Sequence, residues 1–120
     1  MTNAQFLNEN FGTNYNGWMR CSWKYDYKML VWMVSIDGKV RKGWENVIRD
    51  ENTVDEIYVW GLDEQPEIYK TVEEPYRLVV DKHQDYKVLG VYEYDALNSD
   101  EKSHRIWKKV ANSLTEFYNK

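Results

Sequence analysis

Few residues in this chain are of the types that do covalent chemistry. Asp81, followed by Asp85-Tyr86-Lys87, loosely imitates the acid plus acid-x-Lys set that holds Mg²⁺ beside a scissile phosphate. Asp85 falls in an expected turn, however, and acids and bases are common here, so we read the match as a coincidence of residue types. Nucleophilic catalysis needs a Ser or Cys held against a base. The two histidines, His83 and His104, adjoin no nucleophile in a recognisable motif, and His83 sits where a solvated hairpin turn is expected. One cysteine and two distant histidines do not make a zinc set, which needs clustered ligands. Cys21, beside Trp23, reads as a small buried apolar residue. The six glycines are scattered and build no phosphate-cradling loop. The expectation is a non-catalytic chain with no cofactor and no metal.

Charge carries more information than reactivity. The stretch DENTVDEIYVWGLDEQPEIYKTVEE, Asp50 to Glu74, holds nine carboxylates against one base, Lys70, within a chain of formal net charge −4. The remainder is therefore net positive, and such asymmetry points to an electrostatic role. Grooves lined by Lys and Arg normally neutralise phosphates, and a row of carboxylates can occupy one. The expected partner surface is Asp50, Glu51, Asp55, Glu56, Asp63, Glu64, Glu67, Glu73 and Glu74, with Trp60, Tyr58 and Tyr69 adding apolar contact. The alternative is a solvated connection between two halves of a sheet.

The elements that must position these residues are mostly strands. At 120 residues the chain has the length of one domain. Six Trp, ten Tyr and three Phe favour β structure. Thr2-Asn3-Ala4-Gln5 is a capping-box pattern that opens a short helix, broken by the Asn- and Gly-rich run from Asn10 to Gly17. Trp18–Trp23 reads as a first strand and Tyr27–Ile36, apolar on both faces, as an interior one. Asp37-Gly38 signals a hairpin returning through Lys39–Trp44 as a basic edge strand. The acidic stretch shows no clean period. Tyr76–Asp81 and Tyr86–Tyr94 form a second hairpin, with Gly90 marking a bulge. Arg105–Val110 is a last strand, and Ser113-x-x-Glu116 caps a terminal helix. The fold class is α+β: a mainly antiparallel, curved sheet or small barrel with short helices at the termini.

Six tryptophans are hard to bury in one small domain, so some are expected at a rim or pocket, where rings stack on flat ligands. The strands Tyr76–Val80, Tyr86–Tyr92 and Arg105–Val110 resemble the strand-hairpin-strand pattern of PUA-like and SRA-like domains, small barrels that read RNA or modified DNA bases. That resemblance covers roughly 35 residues and implies a curved sheet with an aromatic pocket. In size and charge pattern the chain also resembles small phage-encoded inhibitors of bacterial defence, of the anti-CRISPR and anti-restriction kind. This second resemblance implies an inhibitor whose acidic surface mimics DNA and occupies a basic nucleic-acid-binding protein, such as a defence nuclease, in the cytoplasm of a bacterial host cell. Nucleic acid is the partner under the base-reading alternative. No apolar run is long enough to cross a bilayer, so no membrane partner is expected.

Overall fold

The structure is a computed structural model that describes residues 1–119. One eight-stranded sheet, in the order β1-β2-β6-β7-β8-β5-β4-β3, carries the whole architecture. Its strands are β1 (Ser22–Lys24), β2 (Met29–Val34), β3 (Val40–Arg41), β4 (Trp44–Asp50), β5 (Thr53–Tyr58), β6 (Tyr76–Asp81), β7 (Lys87–Tyr94) and β8 (His104–Ala111). Helix α1 (Asn3–Phe11) precedes them and α2 (Leu114–Tyr118) follows. All neighbouring strands pair antiparallel except β2 and β6.

The capping box forms as its residues dictate: the Thr2 hydroxyl accepts from Gln5 N, and the Gln5 side chain accepts from Thr2 N. Strand alternation then sorts two cores onto opposite faces. Met29, Val31, Met33, Leu78, Val80 and Val91 bury the outer face under Phe6 and Leu7 of α1. Trp32, Ile36, Val54, Val79, Tyr92 and Trp107 fill the inner face. The sheet curls around that inner face. Arg77 on β6 and Glu56 on β5 lie three strands apart in the sheet order, yet Arg77 Nη1 donates to Glu56 Oε1 at 3.0 Å. In a flat sheet those strands would lie about 14 Å apart. The result is a half-barrel.

Several expectations hold. The second hairpin forms with its register shift opposite Gly90, whose φ of 137° suits glycine and whose notional Cβ would meet Ala111 O at 2.6 Å. Trp32 is buried, β2 is interior, and the basic residues around Arg41 lie on an edge strand.

Others need correction. Asp37-Gly38 does not fold β3 back on β2, because the free edge of β2 is taken by β6 in parallel. Asp37 instead makes a corner: its carboxylate accepts from Lys39 N and, bidentately, from Arg41. The chain thus crosses to the far edge of the sheet, where β3 pairs with β4. The first strand is shorter than Trp18–Trp23. Asn3 Nδ2 donates to Met19 O and Arg20 O and ties that segment to α1 rather than to the sheet. Cys21 is exposed, not buried. The acidic stretch begins within a hairpin, since β4 and β5 pair around a turn at Glu51 and Asn52. Beyond β5 it continues through a pair of 3-10 turns, Leu62–Glu64 and Glu67–Tyr69.

Candidate nucleic-acid interface

Cross-strand register lays a polar row across the concave face. Asn46 on β4 opposes Glu56 on β5, and Glu56 opposes Arg105 on β8. Glu56 Oε1 accepts from Arg77 Nη1 at 3.0 Å and from Trp107 Nε1 at 3.3 Å, with Arg105 Nη1 3.5 Å away. The Arg77 guanidinium lies over Trp107 at 4.0 Å and over Trp32 at 4.6 Å, and that of Arg105 over Trp44 at 4.9 Å. Aromatic faces attract such cations, more so when both are desolvated. Two arginines share one carboxylate here, so the buried cluster carries one surplus positive charge. Burial pushes Arg105 down from the usual arginine range, with Glu56 opposing. Arg77 Nε and Asn46 Oδ1, although buried, hydrogen-bond to no protein atom among the described residues.

The segment between β5 and β6 closes this end. Arg105 holds it by donating to Tyr69 O, and Glu101, between β7 and β8, ties to both: its carbonyl accepts from Arg105 and its carboxylate from Val72 N. Val72 packs on the inner core.

The other end of the concave face is open. A cleft of about 510 Å³ lies between the β4–β5 turn and the β6–β7 turn, within the size range of small-ligand sites. Ile48, Leu89 and Tyr92 give it an apolar floor, and Asp50, Glu51, Gln84, Lys87, Lys109 and Asn112 supply polar groups. Asn52 N and the Thr53 side chain hold the Asp50 carboxyl below the usual range, so it is ionised at neutral pH. Burial first, and then the Asp50 charge, push the Tyr92 hydroxyl up.

The expected acidic surface is divided. Asp55 and Glu56 do not belong to it: both are buried in β5 and already paired, Asp55 with Arg49 and His104 and Glu56 with the arginines. Asp50 and Glu51 lie at one end of β5, and Trp60, Asp63, Glu64, Glu67, Glu73 and Glu74 beyond the other. Five rises of strand, about 17 Å, separate the two groups. The nuclease-like set is not assembled either. The Asp81 side chain is fully buried and accepts from Ile36 N, His83 N and Gln84 Nε2. Asn46, Arg77, Arg105 and Lys109 were not among the residues expected from the sequence. Arg77-x-Val79-x-Asp81 and Arg105-x-Trp107-x-Lys109 are period-two patterns that put these side chains on one face, a signal available in the chain.

The Asp55 pair has a pH consequence. Burial pushes its carboxyl up, but Arg49 and His104 outweigh this and hold it below the usual range. A lowered native pKa stabilises above the unfolded value, near 3.9, and that contribution is lost as pH falls through the native value. Asp55→Asn is therefore expected to lower the thermal midpoint at pH 7, with the gap to wild type closing below about pH 4.

No protein-family model matches the chain, and no curated protein matches it. Among solved structures, the 5-hydroxymethylcytosine-specific restriction enzyme AbaSI matches 92% of this chain with a TM-score of 0.65 and 24% identity. The chain shares a fold with part of AbaSI. It spans 37% of that enzyme's length. The likeness supports the curled, mainly antiparallel sheet expected from the sequence and extends it over nearly the whole chain.

Proposed function

We propose that this half-barrel is a nucleic-acid reader that takes a modified cytosine, of the 5-hydroxymethyl class, into the open concave cleft, and that it binds without cutting. The observation that carries this reading is the cleft itself: an apolar floor ringed by carboxylates, amides and lysines at the open end of the curled sheet. A cytosine presents its N4 amino group as a donor, which Asp50 or Glu51 can accept. Gln84 and Asn112 each offer a donor and an acceptor, which suits a hydroxymethyl group. Lys87 and Lys109 carry the charge needed for phosphates on either side. A base stacked inside a duplex cannot enter such a cleft, so the reading demands an extruded or unpaired base, at a cost of a few kcal/mol.

Two observations favour this reading over an acidic inhibitor. The likeness to AbaSI, a 5-hydroxymethylcytosine-specific enzyme, supports it. The inhibitor surface loses Asp55 and Glu56 to the interior and falls into two separated groups.

Charge reversal tests the assignment. Lys87→Glu with Lys109→Glu is expected to weaken oligonucleotide binding by about tenfold or more and to flatten its salt dependence by about one unit of slope per lost phosphate contact. Asp63→Lys with Glu64→Lys is expected to leave binding equal or stronger. The opposite ranking would contradict the reader and restore the acidic surface.

A further inference from the structure

A second opening lies against the same β6–β7 turn that borders the cleft. Lys82 and Tyr86 line a groove of about 720 Å³ on one side of that turn, while Gln84 and Lys87 line the cleft on the other. The opposite wall of the groove comes from α1 and the loop after it, including Gln5, Asn8, Asn16 and Trp18. Trp18 is 82% exposed, in a chain that buries Trp32 and Trp107. It follows Gly17, whose φ is 79°, and its indole nitrogen, unlike those of Trp23 and Trp107, donates to no protein atom among the described residues. A lone exposed ring is ordinary on a protein surface; Trp18 differs in lining an opening, together with Tyr15 and Tyr86. The neighbourhood is also poor in acid: residues 1–24 hold one carboxylate, Glu9, against Arg20 and Lys24. Nine of the twenty carboxylates are gathered in Asp50 to Glu74, which contributes nothing to this groove; Asp85, on the turn itself, is the nearest acid in sequence to Lys82 and Tyr86 apart from the buried Asp81.

We propose that the Trp18 groove is a stacking platform for a nucleotide flanking the one in the cleft, so that a single strand crosses the β6–β7 turn with one base on each side. Base–aromatic stacking is indifferent to sequence, because every base presents a flat face, and Lys82 lies where it can meet the intervening phosphate. The platform would add affinity and footprint, leaving selectivity to the cleft. This inference rests on the reader assignment for the position of the first base.

The test compares two probes, a 5-hydroxymethylcytosine mononucleotide and a nine-nucleotide single strand with that base at its centre, alongside the same strand containing cytosine. Trp18→Ala is expected to weaken binding of the nine-nucleotide strand by about tenfold and to leave the mononucleotide unchanged, and Trp18→Phe is expected to restore most of the loss. The thermal midpoint should not move, since the ring makes few internal contacts. An unchanged nine-nucleotide affinity, or an equal loss for both probes, would overturn the platform. Wild-type preference for the modified strand with no Trp18 effect would sink the platform alone. A Trp18 effect without any preference would sink the modified-base reading and keep the platform, and no binding of any probe would sink both.

Discussion

Glu56→Ala is expected to destabilise the fold by ~3–5 kcal/mol, because it leaves the buried guanidiniums of Arg77 and Arg105 without a carboxylate. The pair itself is not worth that much; the loss comes from stranding two desolvated cations, and Arg77 Nε already lacks a partner among the described residues. Glu56→Gln keeps an oxygen for Arg77 and Trp107 while removing the charge, so its loss should fall between wild type and alanine. Denaturant unfolding reads both. A loss under about 1 kcal/mol for alanine would mean that water reaches the arginines, and that the inner end of the half-barrel is not closed.

Trp32→Ala is expected to cost a similar ~3–5 kcal/mol, by opening a cavity and removing one of the two rings that flank Arg77. Both substitutions act on the same guanidinium. The double variant should therefore lose less or more than the sum of the singles by at least about 0.5 kcal/mol, as contacting residues do. Strict additivity would show that Trp32 and Glu56 are energetically separate and that the Arg77 stack does not couple them.

The parts of the fold legible in the sequence were those whose local chemistry and tertiary role agree. The Thr2 and Ser113 caps, the apolar β2, and the second hairpin with Gly90 at its bulge each announce themselves over a few residues. Failures came where a distant partner overrode the local signal. Asp37-Gly38 is a strong hairpin pair, but parallel pairing of β2 with β6 fills the edge that a hairpin would need. No window around Asp37 contains Tyr76–Asp81. Strand β5 was hidden for a related reason. Asp55 and Glu56 look like surface charge, and only Arg49, His104, Arg77 and Arg105, supplied by three other strands, make their burial tolerable. The acidic stretch thus looked like one surface when it is a buried strand flanked by two exposed groups. The cleft was illegible because its wall combines the β4–β5 and β6–β7 turns, which the sheet order places far apart and the curl brings together.

The most direct measurement is the equilibrium affinity of the wild-type protein for two oligonucleotides identical except that one central cytosine carries a 5-hydroxymethyl group. Tighter binding of the modified strand by about tenfold or more is expected, the worth of roughly one hydrogen-bonded group. In the Lys87→Glu, Lys109→Glu variant both affinities should fall and their ratio be kept, since phosphate contacts carry no base selectivity. Equal affinity of the wild-type protein for the two strands would contradict the modified-base reading.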